Sequence, residues 1–132
     1  MYYDGRGVPR DLAEAHRLYR AAAELRHPEA LYNLALTYGM GAGVQRNDAE
    51  MVRWLAQAAN AGGPGAQAQL GLSYQRGLGV PRNLALAHDW LLKAAERGHK
   101  GAMRELATIY EMGLGVNSDD AKAAHWRERA AQ

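Results

Sequence analysis

The sequence predicts an all-α fold, a right-handed superhelical α/α solenoid of short helix pairs, and three observations predict it. The first is an internal repeat of 36 residues that runs through the chain without insertion or deletion. Tyr2, Tyr38, Tyr74 and Tyr110 mark it, as do Gly5, Gly41, Gly77 and Gly113, and Val8, Val44, Val80 and Val116. The second is helical spacing of the apolar residues within a unit, as in Ala30, Leu34 and Tyr38 at i, i+4, i+8. The third is punctuation: glycine loops and capping residues fall at the same register in every unit. A unit this short cannot bury its own apolar face, so stacking of neighbours is the physical solution.

Taken in order, each full unit reads as two helices. The first begins after Pro28 or Pro64, since proline suits a first turn whose N–H has no partner. It carries the Ala30, Leu34, Tyr38 stripe and ends in a loop such as Gly77-Leu78-Gly79-Val80. The second helix opens at Asp11, Asn47, Asn83 and Asp119, whose side chains can cap free N–H groups. Glu14 and Glu50, three residues on, complete a capping box in two copies. This helix presents Ala13, Ala49, Ala85 and Ala121, the tryptophans Trp54, Trp90 and Trp126, with Leu18 in the first copy, and an Ala-Ala pair. Small residues are expected to let the helices approach while tryptophan fills the remaining space. The result is one solenoid over 1–132, about three and a half units and seven helices. The unit bounds are 1–30 (partial), 31–66, 67–102 and 103–132.

Composition narrows the function. The chain has 132 residues, a formal net charge of +2 and no cysteine, which excludes disulfides and thiol catalysis and gives no demand for nucleic acid. Trp54 to Gln75 lacks charged residues, but Asn60, Gly62, Gly63, Pro64 and Gly65 break it, so no membrane insertion is expected. Met1 is followed by Tyr2, Tyr3 and Asp4, with no secretion-signal pattern. The compartment is cytoplasmic if Met1 is the native start, and periplasmic or secreted if an upstream signal was removed.

A leucine, a small residue (Ala35, Gly71, Ala107), Tyr-x-x-Gly-x-Gly-Val, a capping Asp or Asn, an aromatic and Ala-Ala together resemble the Sel1-like repeat, which is related to the tetratricopeptide repeats. The resemblance covers essentially the whole chain. It implies a scaffold, often a bacterial adaptor, whose curved inner face of first helices holds a partner protein or peptide, and it implies no enzyme and no cofactor.

Other chemistries find little support in the residues. Gly39-Met40-Gly41-Ala42-Gly43 follows a helix and recurs in every copy, so the glycines are turns and not a phosphate loop. His16 and His88, like His27 and His99, lie two units apart, about 20 Å at ~10 Å per helix layer, too far to share a metal ion. These histidines and His125 are expected on the surface. Ser73 and Ser118 are the only serines, and neither has a histidine close in the chain. A base-reading solenoid needs one kind of reader at a fixed place, and Tyr32, Ala68 and Arg104 form no code.

The resemblance to tetratricopeptide stacks implies partner-binding positions that alternate with the packing stripe: Glu29, Tyr32, Asn33 and Leu36; Gln69, Leu72, Gln75 and Arg76; Arg104, Glu105, Thr108 and Glu111. Most vary between units, as recognition residues on a constant scaffold should. Tyr32 and Arg104 are the expected anchors, because aromatic and arginine side chains carry most interface energy. The alternative is homo-oligomerisation, a homodimer through an N-terminal edge of Tyr2, Tyr3, Val8, Leu12 and Tyr19.

Overall fold

The computed structural model describes residues 8–132, with side chains from residue 12 onward. The described residues form seven α-helices and no strand: α1 (Val8–Ala23), α2 (Pro28–Met40), α3 (Asp48–Asn60), α4 (Pro64–Arg76), α5 (Leu84–Glu96), α6 (Lys100–Met112) and α7 (Asp120–Ala130). The chain divides into two compact units, Met1–Gly63 and Pro64–Gln132. In the first, α2 packs against α1 and α3. In the second, α4 packs on α5, α5 on α6 and α6 on α7.

Local chemistry sets the boundaries. Asn47, Asn83 and Asp119 have extended backbones, and their side chains accept from the N–H of Glu50, Leu86 and Lys122, each at 3.0 Å. Their own N–H groups bond the carbonyls of Tyr38, Tyr74 and Tyr110 at 2.9 Å. The repeated tyrosine therefore ties the end of each first helix to the start of the next. This tie also corrects the capping-box expectation. The N–H that the Glu50 carboxylate was expected to receive is already bonded to Tyr38, and Glu50 instead accepts from Arg53.

The start of α1 differs from the expected opening at Asp11. This helix begins at Val8, and the residues that would supply the corresponding tie lie outside the described ones.

The loop glycines do two jobs. Gly41 and Gly113, at φ 68° and 67°, close α2 and α6 in the left-handed region. Gly43 and Gly115 permit close approach. A Cβ on Gly43 would stand 2.2 Å from the Leu12 carbonyl oxygen, and one on Gly115 2.5 Å from the Leu84 Cβ. Each loop thus lies on the first part of the second helix before it.

The core of the first unit is Leu31, Leu34, Ala35, Tyr38, Met51, Val52, Leu55, Ala58 and Ala59. That of the second centres on Leu91, Ala94, Ala95, Met103, Leu106, Ala107, Ile109, Tyr110, Ala123 and Trp126, with Ala68 joined to it. Small residues sit where the helices of a pair meet: a Cβ on Gly71 would come within 2.8 Å of Leu91 Cγ. Ala13, Ala49, Ala85 and Ala121, however, are exposed. Ala49, Ala85 and Ala121 occupy the outward side of a first turn and Ala13 that of the second turn of α1, where alanine contributes chiefly helix propensity. The second helices pack instead through Leu55 and Leu91. Trp54 and Trp90 are half-buried, and Trp126 is buried. Arg53, Lys93 and Arg129 lie over their rings at 5.4, 4.6 and 5.6 Å.

Candidate protein-interaction surface

The candidate residues lie on the first helices, α2 in the first unit and α4 and α6 in the second. Each owes one face to the core and leaves the other to solvent, because its buried positions recur at helical spacing. In α2 the core takes Leu31, Leu34, Ala35, Thr37 and Tyr38. Glu29 is left exposed, and Tyr32, Asn33 and Leu36 half-buried. Met40, at the end of the helix, is 68% exposed.

In the second unit α4 leaves Gln69 and Arg76 exposed and Leu72 and Gln75 half-buried. On α6, Arg104 and Glu111 are exposed and Glu105 and Thr108 half-buried. Ala68, which shares its register with Tyr32 and Arg104, is buried in the core. A methyl group at that point is consumed by packing.

Polar contacts divide this surface further. Glu111 accepts from Arg127 at 3.1 Å, so its carboxylate is already paired. The Thr108 hydroxyl turns back to the Arg104 carbonyl at 3.3 Å. Gln75 offers its main-chain carbonyl to Arg82 Nε at 3.1 Å. The guanidiniums of Arg76 and Arg104 have no hydrogen-bond or ion-pair partner among the described residues.

Three of the five histidines depart from the expected surface placement, whereas His27 and His125 are exposed as expected. His16 is half-buried between α1 and α2, its Nδ1 2.8 Å from Thr37 Oγ1 and its ring edge-on to Tyr38 at 5.0 Å. The Thr37 hydroxyl donates to the Leu34 carbonyl at 2.6 Å, so it accepts from His16, which fixes the Nδ1–H tautomer. Burial, and then the Arg20 guanidinium, push the His16 pKa below its ordinary value. His88 places Nε2 2.6 Å from the Tyr110 hydroxyl and Nδ1 3.2 Å from Asp89. His99 caps α6, its Nδ1 accepting from the Ala102 N–H at 3.0 Å, while His27 holds the corresponding place in α2 with no side-chain bond. His16, His88 and His99 are thus engaged within the fold, and only long-range packing reveals the roles of His16 and His88.

Among the described residues no group of three or more histidine and acidic side chains converges to hold a metal ion. No described helix is long and apolar enough to cross a membrane. A shallow depression of about 370 Å³ lies on α5, lined by Leu86, Asp89, Trp90, Leu92, Lys93 and Glu96. Sequence reasoning missed it, having assigned only Trp90 among these residues, and that to packing.

With the repeat geometry in place, the family model for the Sel1 repeat matches residues 1–27, 28–63, 64–99 and 101–132. This chain belongs to the Sel1 repeat family. Solved structures agree. A protective antigen of uropathogenic Escherichia coli displaying an SLR fold is 39% identical with a TM-score of 0.90, over 97% of this chain and 27% of that one. A Sel1 repeat protein from Oxalobacter formigenes is 31% identical with a TM-score of 0.81, over 93% of this chain and 53% of that one. Cysteine rich protein B of Helicobacter pylori, at 22% identity, TM-score 0.74 and 96% and 91% coverage, shares the fold. The chain therefore spans well under two thirds of the first two proteins. No curated protein sequence matches it. Sel1 repeats are a non-enzymatic scaffold fold and generally serve protein–protein interaction.

Proposed function

We infer that this Sel1 repeat chain is an adaptor that binds a partner protein or peptide on the outward faces of its first helices, the concave side of such a solenoid. The observation that carries this is the division of labour on α2, α4 and α6. Their repeated residues are used in packing, whereas none of the twelve variable positions from Glu29 to Glu111 is fully buried. A rigid helix presenting accessible side chains that differ from unit to unit suits selective recognition at little ordering cost. Tyr32 and Arg104 are the anchors, one amphipathic ring and one unpaired guanidinium.

The test is the double substitution Tyr32→Ala with Arg104→Ala. Helical content and melting should change little, since both residues lie outside the core, while capture of the native partner from cell extract should be lost. Unaltered affinity for that partner would refute the assignment.

A second reading rests on a different observation. Leu18 and Leu25 on and just after α1 are 61% and 70% exposed, and Tyr19 is exposed with them. Large apolar side chains exposed in this way suit an interface, here one between copies of the chain. Leu12 is half-buried, while Tyr2, Tyr3 and the Val8 side chain lie outside the described residues. Sedimentation at several concentrations decides: a monomer throughout removes the homodimer.

A further inference from the structure

We propose that the partner of the second unit is an acidic peptide segment, whose carboxylates are received by Arg76 of α4 and Arg104 of α6 beside the apolar side chain of Leu72. The inference rests on the reading of the first-helix faces and names the chemistry they select.

The charge is unevenly placed. Residues 1–63 hold seven basic and seven acidic side chains, whereas 64–132 hold nine basic and seven acidic, so the whole net charge of +2 belongs to the second unit. Most of its cations are already occupied. Arg82 bonds a carbonyl, Lys100 the Gln132 carbonyl and Arg127 the Glu111 carboxylate. Lys93, Lys122 and Arg129 lie over aromatic rings. Three guanidiniums remain without a partner among the described residues: Arg76, Arg97 and Arg104. Arg97 caps the end of α5, leaving Arg76 and Arg104 as the two on the first helices.

The carboxylates of the same faces do not cancel them. Glu111 is neutralised by Arg127, and Glu105 is half-buried while both arginines are exposed. α4 and α6 share one core through Ala68, which lies in the cluster formed by Met103, Leu106 and Ala107. Both faces therefore belong to one packed unit. Each guanidinium offers a planar fork of donors that matches a carboxylate in two parallel hydrogen bonds. Leu72 supplies apolar contact on the same helix face as Gln69 and Arg76, at i, i+3 and i+7. A lysine-rich segment would meet two uncompensated positive charges there and be rejected.

The experiment is selection of a random peptide-display library on the whole chain, repeated on Arg76→Glu with Arg104→Glu, on Arg97→Glu and on Gln69→Trp. Far-ultraviolet circular dichroism and melting confirm that each variant is folded. The expected result is a consensus of aspartate or glutamate around an apolar residue. Its binding should weaken as salt rises, fall at least about tenfold on the double reversal and stay unchanged in Arg97→Glu. An equal loss in Arg97→Glu makes the effect one of net charge and overturns the proposal. Neutral or basic peptides that are blocked by Gln69→Trp also overturn it, and leave the first-helix face standing. Peptides indifferent to every substitution, or no peptide at all, bring down the face assignment as well.

Discussion

His16 and His88 occupy the same repeat position 72 residues apart, yet they are held in opposite chemical surroundings. His16 donates to a threonine on α2, with Arg17 and Arg20 following it in its own helix. His88 bonds a tyrosine on α6, and the residues matching Arg17 and Arg20 are Asp89 and Leu92. The facing helix differs too, since the counterpart of Thr37 is the buried Ile109. His88 therefore turns to the hydroxyl of the conserved-register Tyr110. The repeat fixes that a side chain enters the helix pair at this point, while the unshared residues around it decide what it bonds.

The largest effect tests whether the two units have equivalent cores at all. Leu34 and Leu106 share a register and are both 0% exposed. Leu34→Ala and Leu106→Ala should each cost about 3 kcal/mol in denaturant unfolding, because a buried leucine removed leaves a cavity. A cost below about 1 kcal/mol in either would break the equivalence.

The next comparison takes away the hydroxyl partners. Tyr110→Phe removes one bond, to His88, and should cost about 1 kcal/mol. Thr37→Val removes two, the one accepted from His16 and the one donated to Leu34, and should cost about 2 kcal/mol. Equal losses, measured by urea titration, would show that the two pockets are not organised as described.

A gain of similar size is expected at Arg26. It has φ 61° where Gly62 and Gly98, at the same register, have φ 99° and 92°. A side chain in the left-handed region costs about 1 kcal/mol that glycine avoids. Arg26→Gly should therefore raise the stability of the first unit by that order. An unchanged or lowered melting temperature refutes the strain.

The smallest effect is titration of His16. Its folded pKa lies below its ordinary value, so the unfolded chain takes up the proton first. Stability should be constant above about pH 7 and decline as pH falls through about 6.5. His16→Gln should flatten this part of the melting-temperature profile. An unchanged slope assigns the pH dependence to other groups.

Much of the fold was legible because its determinants are local. The caps at Asn47, Asn83 and Asp119 act on an N–H three residues away, and the glycine turns depend on backbone angles within one loop. The histidine pockets were not legible, since His16 and His88 reach partners 21 and 22 residues distant on another helix. The repeated Ala13 class misled for a related reason: recurrence marks a position as constrained, but burial depends on which side of the helix faces a neighbour. The candidate surface was legible only as the complement of the packing stripe.

The 36-residue recurrence alone determined the all-α repeat, the register of its helices and the residues that cap and turn them, since each is decided within a few bonds along the chain. Packing alone decided which alanines stay exposed, which tautomer His16 holds and which arginines remain unpaired. Those depend on what a second helix brings within 3 or 4 Å, a distance that sequence separation does not encode.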